Sequence, residues 1–329
     1  MTASAMFASA PQQPQRGRFA ADVRSGLCRT KRKTLPSQYL YDEIGSALFE
    51  VLTLLPEYGL TRADSRLLLR HAGSIVDEMP RDLLIVELGS GSGTKTRHVL
   101  EAAARRASNT VRYLPIDISG AALHQCRKTL ESIHGVEVRP LEASYLEGLH
   151  EAVQRRHAGQ AVLVLFLGST IGNFAARDAR LFVRQIRLAL QPGDALLLGA
   201  DLVKPREQML EAYDDPIGAT AAFNLNLLAR INRELGGEFD LRSFRHVAKW
   251  NEKASRIEMH LESRVDQQVR IADLDRAIEF DKHETIWTES SHKFRAEQIA
   301  AMAARAGFEC RQQWVDREWP FAESLLVVV

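Results

Sequence analysis

From Asp82 to Asp201 the chain alternates two hydropathy patterns. Continuous apolar runs, Asp82 to Glu87, Ala161 to Leu167 and Asp194 to Asp201, read as strands buried on both faces. Val111 to Asp117 is strand-like, and Val136 to Pro140 is a candidate third strand. Between them, apolar residues recur at helical spacing over Thr94 to Arg106, Ser119 to Ile133 and Ala179 to Leu190. Strands alternating with helices imply right-handed crossovers and a parallel, doubly wound α/β sheet. Upstream, helical spacing covers Tyr39 to Leu55 and Asp64 to Glu78.

The rhythm breaks after Asp201. Residues 202 to 235 read as helix with an interruption at Pro216-Ile217-Gly218. Three strand-like stretches follow: Phe244 to Asn251, Ser255 to Val265 and His283 to Trp287. A helix over Arg295 to Ala306 and an apolar run over Ser324 to Val329 close the chain. The simplest organisation is an inserted module within a sheet domain. Residues 1–20, rich in Ala, Gln, Ser and Pro, are expected to be a disordered arm. The sheet domain with its N-terminal helices is then placed at 21–201, a substrate-binding α+β insert at 202–288, and the completing segment at 289–329.

Composition narrows the function. The 329 residues suit roughly two domains at about 150 residues each. Lys and Arg number 43 against 42 Asp and Glu, which disfavours a nucleic-acid or membrane coat. Three dispersed cysteines, Cys28, Cys126 and Cys310, support neither a disulfide framework nor a zinc site, so no metal is expected. With no apolar run of membrane length and no signal-peptide pattern, the expectation is a soluble, cytoplasmic monomer acting on a small molecule. The basic run Arg29 to Lys33 is read as a solvated segment, with phosphate binding as its functional alternative.

The first chemical signal is Glu87-Leu88-Gly89-Ser90-Gly91-Ser92-Gly93-Thr94-Lys95, a glycine-rich turn between strand and helix. Its glycines fall at every second position, unlike Gly-x-Gly-x-x-Gly, and it lacks the Gly-Lys-Ser/Thr of a P-loop. Glu-Leu-Gly-Ser-Gly is the form met in S-adenosylmethionine enzymes. Asp117, ending the next strand, can accept hydrogen bonds from both ribose hydroxyls; its structural alternative is a helix cap. The loop Gly168-Ser169-Thr170-Ile171-Gly172-Asn173 also follows a buried strand, where a substrate could meet the cofactor.

With that loop, the segments Tyr41 to Ser46, Leu55 to Tyr58, Tyr213 to Asn224 and Thr288 to Phe294 resemble the histidine Nα-methyltransferases, which make hercynine on the way to ergothioneine. The resemblance runs from about residue 28 to near the end of the chain. It implies a class I methyltransferase (Rossmann-like) fold and S-adenosylmethionine as cofactor. It implies that Asn173 and Tyr213 hold the substrate carboxylate, beside Gly168. Tyr41 and Tyr58 would line and orient the amine, Met259 would pack near the ring, and Glu289 and Ser291 would hydrogen-bond the imidazole nitrogens. Gly89, Lys95 and Asp117 match cofactor contacts, with Ser144 and Tyr145 beside the adenine. Another aromatic amino acid or a biogenic amine remains as an alternative substrate. Readings from other classes are an RNA or protein methyltransferase and a non-catalytic S-adenosylmethionine-binding regulator.

Overall fold

The structure is a computed structural model that describes residues 13–29 and 31–329. In chain order its elements are α1 (Gln13–Leu27), β1 (Lys33–Thr34), α2 (Glu43–Leu54), α3 (Gly59–Asp77), β2 (Leu83–Leu88), α4 (Arg97–Arg106), β3 (Val111–Asp117) and α5 (Gly120–Leu130). Then come β4 (Val136–Val138), β5 (Leu141–Glu142), α6 (Tyr145–Gln154), β6 (Ala161–Phe166), α7 (Ala176–Ala189), β7 (Ala195–Asp201), α8 (Arg206–Glu211) and α9 (Ala219–Leu235). The remainder is β8 (Phe244–Asn251), β9 (Arg256–Ser263), β10 (Gln267–Ile271), β11 (Arg276–Phe280), β12 (Thr285–His292), α10 (Ala296–Ala306), β13 (Phe308–Asp316) and β14 (Phe321–Val328).

These elements form two compact units. The sheet unit holds residues 53–212, 250–257 and 290–329. Its strands run in the order β13-β14-β7-β6-β2-β3-β4, with β5 also paired to β3. The pairs from β4 to β7 are parallel, while β14 lies antiparallel between β7 and β13. Every residue of β2, β6 and β7 is buried, as expected of strands covered on both faces. From β2 the order runs outward through β3 on one side and through β6 on the other. The carboxyl ends of β2 and β6 therefore flank the switch point, where open α/β sheets bind ligands.

The α+β unit gathers the described residues up to Leu52 with 213–249 and 258–289. Its sheet runs β1-β12-β9-β8, beside a separate β10–β11 hairpin. This division differs from the expected one, which grouped the N-terminal segment with the sheet domain. The reason is local pairing: β1 lies parallel to β12, with Lys33 opposite Ile286 and Thr34 opposite Trp287.

The expected disordered arm gives way over residues 13–20, where α1 has already begun. Phe19, Val23 and Leu27 recur at four-residue spacing and are all buried, so this stretch has a core-facing stripe despite its polar composition. Residues 1–12 of that arm lie outside the described residues. The helix expected over Tyr39 to Leu55 breaks at Tyr41, because Asp42 Oδ1 accepts the Gly45 N–H at 2.7 Å and starts α2 afresh. The basic run is only partly solvated. Arg32 pairs with Glu258 at 3.1 Å and lies 3.9 Å over the Trp287 ring, and Lys33 pairs with Glu284.

Candidate active site

In the sheet unit, the chain leaves β2 through Gly89, Gly91 and Gly93, all at positive φ. A Cβ on Gly93 would stand 2.7 Å from Cys126 Sγ, and one on Gly89 would stand 3.2 Å from Tyr145 Oη. The turn thus needs glycine for backbone shape and for room. Glu87 anchors it from below: its buried carboxylate accepts Thr96 Oγ1 at 2.7 Å and the Tyr113 hydroxyl. Burial pushes Glu87 up to about 7 against those two donors. At the end of β3, Asp117 Oδ1 accepts the Ser119 N–H at 2.9 Å, while Oδ2 stands 3.4 Å from the Gly91 N–H. Ser119, not Asp117, caps α5 by accepting from Ala122 N–H at 3.2 Å. Burial raises the Asp117 carboxyl above its ordinary range, although the backbone N–H groups of Ser119, Gly91 and Ile118 oppose it. Ser144 precedes α6, and Tyr145 opens that helix with its hydroxyl beside Gly89.

Lys95, at the far end of the turn, is paired with the fully buried Asp64 of α3. Asp64 Oδ2 also accepts the Gly168 N–H at 3.0 Å, and a Cβ on Gly168 would lie 3.2 Å from Lys95 Nζ. One carboxylate therefore ties the glycine turn to the Gly168 loop. Burial works against the Lys95 charge, yet the carboxylates of Asp64, Glu87 and Glu323 outweigh it and raise its pKa. Glu323 of β14 is wholly buried, and burial, with the Asp64 charge added, holds its carboxyl well above the ordinary range.

The Gly168 loop ends in a 3-10 turn over Thr170–Asn173, with Asn173 partly exposed at its last position. The end of β12 packs against this turn: His292 Nδ1 bonds the Gly172 carbonyl at 2.9 Å, and a Cβ on Gly172 would lie 2.8 Å from the His292 carbonyl oxygen. Ser291 and Asn173 are thus carried by touching segments of one unit. Tyr58, also in this unit, is buried at the start of α3. Beside it Gly59 faces Trp319, whose ring a Cβ there would meet at 2.2 Å, so this position cannot carry a side chain.

In the α+β unit, Tyr41 is freed from helix by the break before α2 and joins an aromatic group. Its ring centroid is 5.5 Å from Phe49 and 5.4 Å from Phe223, and those two are 5.9 Å apart. Tyr213 is buried, and its carbonyl accepts from His246 Nε2 at 2.7 Å. His246 Nδ1 then accepts from Asn224 Nδ2 at 2.9 Å, and burial lowers its pKa and keeps the ring neutral. Asp215 fixes the segment by accepting the Ala219 and Thr220 N–H groups at 2.9 and 2.7 Å. Met259 is buried on β9, and its carbonyl accepts Thr288 Oγ1 at 3.0 Å. Glu289 is the last residue of this unit on β12; Ser291, two residues further along the same strand, belongs to the sheet unit, and strand alternation directs the two side chains to the same face of β12.

Sequence reasoning singled out Gly89, Lys95, Asp117, Tyr145 and Gly168, and the sheet unit brings these together. It missed Asp64 and Glu323, charged residues embedded in apolar patterns, and it missed Phe49 and Phe223, which read as ordinary core positions. The donor set fits S-adenosylmethionine: glycines that leave the backbone open to approach, and at the end of β3 a half-buried carboxylate with an oxygen for a diol.

Comparison with known proteins shows the family. Residues 19–328 match the family described as histidine-specific, SAM-dependent methyltransferases. The chain is 42% identical over 307 residues to the histidine N-alpha-methyltransferase of Mycolicibacterium smegmatis, covering 93% of this chain and 94% of that protein. It is 41% identical over 305 residues to the histidine N-alpha-methyltransferase of Mycobacterium tuberculosis, covering 92% and 93%. Ergothioneine biosynthesis protein 1 of Neurospora crassa is 30% identical over 285 residues, which cover 86% of this chain and 32% of that larger protein. The chain belongs to the family of histidine-specific, S-adenosylmethionine-dependent methyltransferases.

Proposed function

We propose that the protein transfers methyl groups from S-adenosylmethionine to the α-amine of L-histidine, three times in succession, giving hercynine. The observation that carries the histidine reading is the Glu289–Ser291 pair on one face of β12. A carboxylate suits a ring N–H and a hydroxyl can donate or accept, so the pair answers both nitrogens of an imidazole. An indole offers a single ring donor and would leave one of them unanswered.

The bound cofactor would supply a sulfonium methyl, already activated for displacement. Gly89 and Asp117 would hold it, with Lys95 at its methionine end and Ser144 and Tyr145 beside its adenine. Asn173 and Tyr213 would take the substrate carboxylate next to Gly168, and Met259 would pack near the ring. Tyr41 and Tyr58 would orient the amine so that its lone pair points along the line of displacement. The chain thus contributes position and electrostatics. With each transfer a nitrogen–carbon bond forms, the carbon–sulfur bond breaks, and the proton released by the amine passes to water. The aromatic faces of Tyr41, Phe49 and Phe223 suit the quaternary ammonium that remains after the third transfer. We also infer a monomer working in the cytoplasm without nucleic acid or membrane partners; the near balance of 43 basic and 42 acidic residues supports the last part of that reading. Mass spectrometry of reactions with labelled S-adenosylmethionine and a panel of amino acids and amines tests the activity. Trimethylation of histidine is expected, and turnover of another amine in its place overturns the reading.

A further inference from the structure

Below Ser291, inside the sheet unit, lies a chain of buried charges with no assigned part in methyl transfer. Lys293 Nζ donates to Ser291 Oγ at 2.9 Å and pairs with Asp201 Oδ2 at 2.8 Å; both charged side chains are 1% exposed or less. The other oxygen of Asp201 accepts Lys204 Nζ at 2.6 Å and Trp319 Nε1 at 2.9 Å. The backbone holds the group as firmly. Asp201 N–H donates to Ser169 Oγ at 2.9 Å, and Phe294 N–H donates to the Asp201 carbonyl at 3.0 Å. Lys293 N–H donates to the Ser255 carbonyl at 2.8 Å. Burial raises the Asp201 carboxyl, but the two ammonium groups overcome this and bring its pKa below the ordinary value, so Asp201 is ionised.

Burying ammonium groups is costly unless something is gained by placing them. An ammonium has donors only, whereas a hydroxyl has one hydrogen and two lone pairs. With Lys293 donating to Oγ, one lone pair is taken, the hydroxyl hydrogen turns away from the cation, and an N–H seeking the second lone pair would have to approach beside an ammonium, which disfavours it. We infer that Lys293, held in place by Asp201, fixes Ser291 as a hydrogen-bond donor, so that Ser291 selects substrate rings presenting an unprotonated, pyridine-type nitrogen. This deepens the proposed function and rests on Ser291 facing the substrate ring. Lys293 is a positioning residue: it acts on the ring through Ser291. Histidine is then bound as the neutral imidazole in one tautomer, its remaining N–H directed elsewhere in the site.

The first test uses the unaltered full-length protein with S-adenosylhomocysteine and histidine labelled with nitrogen-15 in the ring. The expected spectrum shows one pyridine-type and one pyrrole-type nitrogen in the bound state. Two pyrrole-type nitrogens, an imidazolium, overturn the inference while leaving the histidine reading intact. Absence of any bound histidine overturns the histidine reading, and this inference falls with it. The second test compares kcat/KM for histidine with that for the two pyrrolylalanine isomers, which keep one ring N–H and lack an acceptor nitrogen. Lys293→Met is expected to narrow the preference for histidine by about tenfold, because the released hydroxyl can turn to accept an N–H. In a Ser291→Ala background the same change should leave the ratio where it is. A ratio unaltered by Lys293→Met, or altered equally in both backgrounds, overturns the inference.

Discussion

Replacing Asp117 with alanine removes the half-buried carboxylate at the end of β3 that faces the glycine turn. Its Oδ1 is engaged by the Ser119 N–H at 2.9 Å, but Oδ2 is 3.4 Å from the Gly91 N–H, beyond the usual range for such a bond. That oxygen retains acceptor capacity for a ribose hydroxyl. A hydrogen bond to a charged group contributes about 1.5–3 kcal/mol, so the Kd for S-adenosylhomocysteine should rise by about ten- to 150-fold. Asp117→Asn keeps an oxygen for the Ser119 N–H and loses the charge, and its loss should be intermediate. The pH dependence provides an internal control. Burial raises the Asp117 pKa, and the diol is held by the ionised form. Wild-type affinity should therefore decline toward acid pH earlier than an ordinary carboxylate would allow, and this decline should be missing in the asparagine variant. Isothermal titration across pH reads both effects. A Kd for Asp117→Ala within about twofold of wild type would falsify the assignment, since it falls below any charged hydrogen bond.

Glu87 leads to a prediction about stability. Its folded pKa is about 7 against an ordinary 4.5, so the folded chain binds a proton that the unfolded chain has lost between those values. Stability should fall by about 3 kcal/mol as pH rises through this window and level off above it, and thermal melts of Glu87→Gln should lack that slope. If Asn173 and Tyr213 hold a carboxylate, histamine should be a worse substrate than histidine by at least about tenfold in kcat/KM; equal values would remove both residues from that role. Glu289→Ala should lower histidine turnover, because a ring N–H left without its acceptor costs about 1–3 kcal/mol. Tryptophan should gain relative to histidine in a competition assay while cofactor affinity holds, and an unchanged preference places Glu289 away from the ring.

Hydropathy exposed the sheet unit because its central strands are covered on both faces. The runs at Leu83–Leu88, Ala161–Phe166 and Ala195–Asp201 are almost wholly apolar, and each is buried throughout. Strands with a single buried face were harder to see. In β13 the stretch Glu309 to Gln313 is polar or only half-buried, and its pairing with β14 is irregular between Cys310 and Gln312, which breaks any period of two. In the β10–β11 hairpin each strand buries only two apolar side chains, Val269 and Ile271 in one and Ile278 and Phe280 in the other. That is too short a pattern to stand out from a loop. The two-residue β1 has no pattern at all, and only its pairing with β12 shows that the N-terminal segment belongs with the later strands.

The site was legible where backbone chemistry is written in residue type, and hidden where a charge had to be recognised as buried. Glycines at every second position and an aspartate ending a strand mark a turn that a ligand can approach, whatever the fold around them. Asp64, Lys204 and Lys293 carry no such mark, because acidic and basic residues on helices and loops are ordinary surface residues until the fold encloses them. Glu323 is the informative intermediate case. It precedes an apolar terminal run and lies wholly buried within β14, so a carboxyl there conflicts with the run that follows it. Such a conflict is expensive, and chains tend to keep it where function requires it. Read by that rule, Glu87 within its apolar run, Asp201 at the end of another and Glu323 before a third all point to one edge of one sheet. The glycine turn lies on that same edge, because β2, β7 and β14 are strands of a single sheet and the parallel ones end together. What hydropathy leaves out is the pairing that makes those charges tolerable. Asp64 is separated from Lys95 by 31 residues and from the Gly168 N–H by 104, and only the folded sheet brings them within reach.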